Sequence, residues 1–278
     1  MRWWSAAGGL VLVGVLVLLL VGASLRLPSP APTSRAVQAR LQGVLRIGID
    51  PTYPPIAVVD ERGNLVGLDV DVAVELARRL GVRPEFVGMD LGGIFDALLQ
   101  RRFDIIISGI PPLPEYTREV IYSQPYFNAG LVLLVPAGSA TLRTPAELRG
   151  VVAVEVGGQA EAEARQLARR QSIELLLVDS PAGVVAAVRS GRAVAGIVDR
   201  LSAAEQAHPE SGVVVAGPPF TLDPYVIAAR REDEALLAAI DTALAAMRAD
   251  GTLARIESRW LDSARLHAVD RPTPAARP

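Results

Sequence analysis

Short apolar runs alternate with segments of helical periodicity along most of the chain. The run at residues 44–50 has the length of a strand, and residues 69–80 place Val70, Val74 and Ala77 at helical spacing. The same alternation predicts strands at residues 84–89, 103–109, 151–157, 173–178 and 193–198, and helices at residues 92–101, 160–170 and 181–189. Two similar βαβαβ units in one chain predict an α/β fold with two parallel sheets.

The segments that join and follow these units have their own signals. Thr144, Pro145 and Glu147 form a capping box with proline at the first helical position. Apolar runs predict strands at residues 130–136 and 225–230, and periodic segments predict helices at residues 233–250 and 252–261.

Polar residues and glycines follow several of the predicted strands. Ligands of parallel α/β sheets bind outside the carboxyl ends of the strands, so these positions are candidates for a binding site. They are Asp50, Tyr53, Ser108 and Gly109 in the first unit and Gly157, Gly158, Gln159 and Asp199 in the second. Asp and Gly also end strands without any function, so both alternatives stay open for the glycines. The position of Asp199 favours a carboxylate that faces a crevice.

An apolar segment opens the chain. Arg2 precedes the run at residues 10–21, which ends in small residues and is long enough for a spanning helix. Residues 1–27 are therefore predicted to be either a cleaved signal peptide or a retained membrane anchor, and residues 28–43 a Pro-rich linker. Both alternatives place the main domain outside the cytoplasm, in the periplasm or at the cell surface. The Pro/Ala/Arg-rich residues 263–278 are predicted to be a disordered tail.

Composition excludes several kinds of site and partner. Lys and Arg number 28 against 30 Asp and Glu, and a net charge of -2 provides no positive field for a nucleic acid. The sequence has no Cys, which rules out disulfides, thiolate metal sites and a lipid-modified N-terminal cysteine. It has two His and no Lys, which makes a His-rich metal site improbable and excludes Schiff-base chemistry. No cofactor and no metal site are expected.

Seven motifs occur in a single order between Val44 and Leu261. They read IGIDPTYPP, GNLVGLDVDVAVELARRLG, ALLQRRFDIIISGI, SQPYF, TPAELRGVVAVEVG, PYVIAARR and MRADGTLARIESRWL. With these motifs the chain resembles the extracellular solute-binding proteins of family 3, which deliver polar amino acids and related solutes to ABC importers. The resemblance implies a two-lobed type II periplasmic-binding-protein fold, an α/β fold whose lobes are mostly parallel sheets flanked by helices and joined by a two-strand hinge. Lobe one would comprise residues 44–132 and 225–262, and lobe two residues 133–224.

The resemblance also assigns roles to residues of a cleft between the lobes. Tyr53 and Leu91 would flank the side chain of the ligand, and Asp199 would take its ammonium group. Ser108 and Gly109 would lie along the polar backbone of the ligand.

The chain departs from the family pattern at the group that holds the ligand carboxylate. Pro111, which has no N–H to donate, stands where amino-acid binders carry a Ser or Thr. Tyr116 stands at the position of the arginine that clamps the carboxylate, and Gln159 replaces a threonine. Arg118 either substitutes for that arginine or is a solvated side chain beside Glu119. A cation or an amine whose carboxylate is absent, esterified or amide-linked is the ligand expected from this lining.

Two function classes share this scaffold. The first is a receptor, monomeric and without enzymatic activity, that traps a small polar solute and presents it to the permease of an ABC importer. The second is an enzyme similar to cyclohexadienyl dehydratase, whose acid is a Glu three residues beyond the aspartate that matches Asp199. Here that position is Ser202, and Glu205 lies one helical turn further. General acid catalysis then lacks its proton donor, which favours the receptor.

Overall fold

The computed structural model describes residue 37 and residues 41–139, 142–207 and 209–261. The predicted signal or anchor and the predicted tail lie outside these residues. Val37 and Leu41 are buried in the core of the first lobe, at 3% and 7% exposure. Within the segment predicted to be a linker, these two apolar side chains thus pack into the folded body. No helix of the described ranges is long and apolar enough to cross a membrane.

Strands and helices alternate through the described part of the chain. The strands are β1 (Val44–Ile49), β2 (Thr52–Tyr53), β3 (Ala57–Val59), β4 (Leu65–Val66), β5 (Arg83–Gly88), β6 (Ile105–Ile106), β7 (Val120–Tyr122), β8 (Phe127–Asn128), β9 (Leu131–Pro136), β10 (Gly150–Glu155), β11 (Ile173–Val178), β12 (Ala195–Asp199), β13 (Val213–Ala216), β14 (Pro224–Tyr225) and β15 (Ala228–Arg230). The α-helices are α1 (Leu68–Leu80), α2 (Leu91–Leu99), α3 (Gln159–Ala168), α4 (Pro181–Arg189), α5 (Arg200–Gln206), α6 (Glu234–Ala249) and α7 (Thr252–Leu261).

The first five-stranded sheet has the order β5-β1-β6-β15-β7. Strand β1 is parallel to β5 and β6, and β15 is antiparallel to β6 and β7. Four strands thus point one way and only β15 the other. The second sheet, β11-β10-β12-β9-β13, repeats this arrangement with β9 as its reversed strand. The carboxyl ends of β1 and β6 therefore lie at one edge, and those of β10 and β12 at the corresponding edge of the other sheet.

Helix α1 shows how the sequence places a helix against the first sheet. Its first turn carries Asp69 and its last turn Arg78 and Arg79, charges that suit the helix dipole, and Gly81 ends the helix with φ 71°. Val74 was expected on the buried face but is 45% exposed.

The buried face of α1 is instead formed by apolar side chains at the i, i+4, i+5, i+8, i+9 and i+12 positions of the helix. They are Leu68, Val72, Ala73, Leu76, Ala77 and Leu80. They join the apolar cluster of the first sheet.

Two short chain crossings connect the sheets. Strand β8 pairs with β14 in an antiparallel ribbon, with Phe127 opposite Tyr225. The side chain of Asn128 ties this ribbon together, because it donates to Thr221 O at 3.0 Å and accepts the Asp223 N–H at 2.8 Å. Two hydrogen-bonded extended segments make a hinge about which one body can rotate on the other.

The longer elements agree with the prediction, whereas α5 and short strands such as β7 and β13 were not predicted and two predicted strands differ in form. Helices α4 and α7 have the predicted bounds, and most other elements differ by a few residues at an end. The strand expected at residues 225–230 is split into β14 and β15. The split arises because Val226 N donates to Ile110 O and Ile227 N donates to the Ser123 hydroxyl, rather than to one neighbouring strand. The strand expected at residues 103–109 is reduced to Ile105–Ile106.

Candidate functional site

Asp50 joins the strand ends of the first lobe. Its Oδ1 accepts from the backbone N–H and the hydroxyl of Thr52, at 3.1 and 2.6 Å, and its Oδ2 accepts the Leu91 N–H at 3.1 Å. The Asp50 N–H in turn donates to the Ser108 hydroxyl at 2.9 Å. With its carboxylate and its backbone N–H, Asp50 thereby holds the end of β1, the start of α2 and the end of β6 in one place. Asp50 is only 8% exposed, so it braces the floor of the candidate site.

Two tyrosines enclose Gly109 above this floor. Gly109 has φ +57°, and a Cβ there would lie 3.2 Å from both Ile56 and Tyr225 and 3.4 Å from Tyr53. The hydroxyls of Tyr53 and Tyr225 are 3.4 Å apart. The sequence did not single out Tyr225, although it begins the strand predicted at residues 225–230.

Apolar walls of the first lobe remain open to solvent. Tyr53 is 40% exposed and Leu91 is 43% exposed. Large apolar side chains that sit beside a polar floor are suited to contact a ligand or an opposing surface.

A fully buried carboxylate lies beneath Gly109. Asp69 Oδ2 accepts the Gly109 N–H at 2.7 Å, and its Oδ1 accepts the Tyr126 hydroxyl at 2.7 Å. Burial raises the pKa of the Asp69 carboxyl from 3.8 to about 7. The helical spacing of the sequence could have indicated that Asp69 is buried, because Asp69 lies four residues before Ala73 on the same face of α1.

Aromatic packing holds Tyr116, the residue expected at the position of the family's carboxylate clamp. Tyr116 lies in a 3₁₀ turn, Pro114–Tyr116, and its ring stacks on Phe95 with the ring centres 4.2 Å apart. Pro111 is exposed. The Tyr116 ring is therefore held against α2 and offers no positive charge.

Arg118 lies just beyond this turn. Its side chain is exposed, and its backbone carbonyl accepts from Arg231 Nε at 2.8 Å. Among the described residues, no carboxylate lies within ion-pair distance of the Arg118 guanidinium. The geometry is that of a solvated side chain on a backbone fixed by Arg231.

The second lobe carries a pocket of about 130 Å³ at the carboxyl ends of β10 and β12. It is lined by Leu131, Glu155, Gly158, Gln159, Ala160, Ile197, Val198 and Asp199. The structure thus brings the predicted Gly158, Gln159 and Asp199 together. The sequence did not indicate Glu155, because the strand was predicted to continue to residue 157, whereas β10 ends at Glu155.

Asp199 caps helix α5. Its Oδ1 accepts the N–H groups of Leu201 and Ser202, at 3.0 and 2.8 Å. Both of these bonds use Oδ1, which leaves Oδ2 as an acceptor for a ligand.

Asp223, a carboxylate next to the hinge ribbon, lies close enough to Asp199 for their charges to interact. Burial and then the charge of Asp199 raise the pKa of the Asp223 carboxyl. Ala129 connects Asp223 to Arg200, the residue after Asp199, because its N–H donates to Asp223 O at 2.8 Å and its carbonyl accepts from Arg200 N at 3.2 Å. A cation that binds beside two neighbouring carboxylates stabilises their negative charge.

The turn before α3 already holds an anion from the chain itself. Gly157 N–H donates to Glu161 Oε2 at 2.7 Å, and Arg165 pairs with Glu161 Oε1. These contacts, first the Gly157 hydrogen bond and then Arg165, lower the pKa of Glu161. The Gly157 N–H is therefore engaged by an internal carboxylate.

Comparison with known proteins decides the family. Residues 45–263 match the family of bacterial extracellular solute-binding proteins, family 3. The chain belongs to this family. The predicted family is confirmed, and so is the two-lobed type II fold with its two-strand hinge.

Relatives of this solute-binding protein cover nearly all of it. It is 30% identical to the L-cystine-binding protein TcyJ of Escherichia coli (strain K12) over 256 residues, which is 91% of this chain and 95% of that protein. A solved ancestral cationic amino acid solute-binding protein is 34% identical, covers 82% of this chain and 99% of its own, and superposes with a TM-score of 0.59. A solved ancestral cyclohexadienyl dehydratase is 28% identical, covers 85% and 98%, and superposes with a TM-score of 0.72.

The candidate ligand site of this solute-binding protein has two halves. Asp50, Ser108 and Gly109 form the floor of the first lobe with Tyr53 and Leu91 as its walls, and Gly158, Gln159 and Asp199 line the second-lobe pocket. Pro111, Tyr116 and Arg118 lie in or near the Pro114–Tyr116 turn and do not line the second-lobe pocket.

Proposed function

We propose that this solute-binding protein captures a small cationic solute, an amine or a cationic amino-acid derivative, and delivers it to an ABC importer. The observation that carries the proposal is the lining of the second-lobe pocket, which contains the carboxylates of Glu155 and Asp199 and no cationic side chain. Carboxylates in a site that closes over its ligand require a counter-charge. The ligand supplies it.

The lobe-to-lobe crossing adds to this negative field. Asp223 lies close enough for the charge of Asp199 to raise the pKa of its carboxyl. A bound ammonium or guanidinium group relieves this repulsion, so cations gain affinity that a neutral solute of the same size does not.

The same site offers little to a ligand carboxylate. Tyr116 is stacked on Phe95, Pro111 has no N–H, and the Gly157 N–H is engaged by Glu161. A carboxylate placed here would lose its water without a charged partner. We therefore assign the preferred ligand to cations whose carboxylate is absent or derivatised.

We propose a receptor rather than an enzyme. The position of the dehydratase acid is Ser202, whose N–H donates to Asp199, and Glu205 one turn further is exposed. General acid catalysis needs a proton donor within hydrogen-bond reach of the leaving group, and a solvated Glu205 is a weak candidate. Likeness to an ancestral dehydratase concerns the scaffold, and function depends on the site.

The cellular setting proposed for the protein follows from its family and its first residues. It acts outside the cytoplasm as a monomer, held by its N-terminal segment or released from it. Its macromolecular partner is the permease of an importer.

A thermal-shift screen of the purified protein tests the proposal. The panel contains diamines, cationic amino acids, neutral amino acids and dicarboxylates. The compounds that raise the melting temperature are expected to carry an ammonium or guanidinium group, and the double variant Glu155→Gln, Asp199→Asn is expected to lose the shift. Stabilisation by dicarboxylates alone would refute the cationic assignment.

A further inference from the structure

Asp69 is a buried carboxylate without a cationic partner. It is 0% exposed, and its two oxygens accept from Gly109 N–H and from the Tyr126 hydroxyl, each at 2.7 Å. The nearby Asp71 shows the contrast, since it pairs at the surface with Arg259 at 2.9 Å and accepts from Trp260. A neutral side chain could accept from Gly109 at a lower desolvation cost.

No positive charge faces Asp69 from the surrounding elements of the described chain. The titratable groups that interact with it are the hydroxyls of Tyr126, before β8, and Tyr225, in β14. Desolvation dominates, and it raises the pKa of Asp69 to about 7 even though both hydrogen bonds oppose that rise.

The contact of Asp69 determines how a peptide in the ligand site is oriented. A trans peptide is planar, so its N–H and C=O groups point in opposite directions. Because the Gly109 N–H points at Asp69, the carbonyl of Ser108 points away from the buried carboxylate. Gly109 itself adopts φ +57° between Tyr53 and Tyr225. The orientation of this peptide, and thus of a carbonyl acceptor, depends on Asp69.

We propose that Asp69 is a positioning residue of the ligand site, and that its ionised form strengthens the binding of a cationic solute. The cationic ligand class rests on the function proposed above. The ionised carboxylate accepts from Gly109 and Tyr126 at once, whereas the neutral acid carries a proton on one of these oxygens, so the hydrogen bond at that oxygen must be reversed or lost. Its negative charge beneath the site also favours a cation.

Thermodynamic linkage between protonation of Asp69 and ligand binding gives the direction in which affinity changes with pH. A cation that binds near Asp69 stabilises the charged carboxylate, lowers its pKa and releases a proton. Affinity should therefore rise with pH through about pH 7, by about tenfold between pH 6 and 8, which corresponds to ~1.4 kcal/mol.

The first experiment needs no ligand. The amide ¹H and ¹⁵N shifts of Gly109 are followed by NMR from pH 5.5 to 8.5 in the wild type, in Asp69→Asn and in the control Asp71→Asn. We expect a titration with a midpoint near 7 in the wild type and in Asp71→Asn, and none in Asp69→Asn. A Gly109 amide that does not titrate in the wild type, or titrates equally in Asp69→Asn, overturns the proposal.

A second variant covers the case in which Asp69→Asn does not fold. Tyr126→Phe removes a hydrogen bond that favours the charged form, so it should move the Gly109 midpoint to higher pH. An unchanged midpoint contradicts the assignment to Asp69.

Calorimetry with agmatine as the probe tests the coupling to ligand. Agmatine carries no carboxylate, and it keeps both of its positive charges over this pH range. Its affinity should rise about tenfold from pH 6 to 8 with proton release in the wild type and should be nearly constant in Asp69→Asn. Binding that is independent of pH in the wild type overturns the coupling. Absence of agmatine binding at every pH counts against the proposed ligand class, while the NMR titration still decides the role of Asp69.

Discussion

Asp199 Oδ1 accepts the Ser202 N–H at 2.8 Å and the Leu201 N–H at 3.0 Å. One carboxylate therefore both caps helix α5 and faces the second-lobe pocket. Its structural role and its charge can be separated by substitution, because asparagine also caps helices well and carries no charge.

The negative charge of Asp199 is predicted to contribute strongly to ligand affinity and little to the free energy of unfolding. Asp199→Asn should keep the cap and weaken a cationic ligand roughly a hundredfold, since removing one partner of a buried ion pair costs on the order of 3 kcal/mol. Asp199→Ala should lose the same affinity and about 1 kcal/mol of unfolding free energy as well. Calorimetry and urea denaturation measure the two effects. Equal ligand affinity in wild type and Asp199→Asn would place the ligand cation elsewhere.

Gly109 is predicted to tolerate no side chain. In Gly109→Ala the Cβ meets Ile56 and Tyr225 at 3.2 Å at a positive φ, so about 2 kcal/mol of stability and most ligand affinity should be lost. Gly191→Ala is the matched control, because Gly191 has φ +73° with nothing within 4 Å of the added Cβ. It should lose only about 1 kcal/mol and keep its ligand. Similar behaviour of the two variants would contradict the close packing around Gly109.

Stability is predicted to fall as pH rises from 5 to 7. Folding raises the pKa of Asp69 from 3.8 to about 7, so the unfolded chain binds fewer protons than the native protein in this interval. The unfolding free energy should therefore decrease by about 2 kcal/mol between pH 5 and 7, and level off above. Asp69→Asn should flatten this slope and Asp71→Asn should not. Denaturation curves at each pH measure the free energy of unfolding. If Asp69→Asn keeps the same decrease between pH 5 and 7, the pH dependence does not arise from Asp69.

Ligand is predicted to close the two lobes. Tyr53 and Leu91 are 40% and 43% exposed, and the pocket is lined by residues of the second sheet and the start of α3, so a bound solute can gain contacts by bringing the lobes together. Small-angle X-ray scattering should show a smaller radius of gyration at saturating ligand. An unchanged radius at saturation would argue against hinge closure.

Hydrophobic periodicity predicted most of the architecture. Strand ends were predictable because apolar runs stop at Asp50, Ser108 and Asp199, and the edge of a parallel sheet collects such positions. The short strands β6, β14 and β15 were not predictable in length. The backbone between β14 and β15 bonds to a partner distant in sequence, because Ile227 N donates to the Ser123 hydroxyl.

Residues that support the site without following a predicted strand could not be predicted from the sequence. Asp69 lies inside a helix, and only tertiary contact shows that its carboxylate reaches Gly109, forty residues away. Glu155 ends β10 within the strand itself, where alternation alone does not reveal that it lines a pocket. The stacking of Tyr116 on Phe95 is also a tertiary contact, so the sequence alone did not predict it.

The preference for a cation without a free carboxylate is tested most directly by matched pairs of ligands. Calorimetry compares L-arginine with agmatine, L-lysine with cadaverine and L-ornithine with putrescine, so that each pair differs by one carboxylate. We predict that in the pair with measurable binding the amine binds at least tenfold more tightly, because Glu155, Asp199 and Asp223 attract the cation while Tyr116 and Pro111 give the carboxylate no partner. Tighter binding of the free amino acid, retained in Arg118→Ala, would contradict the account.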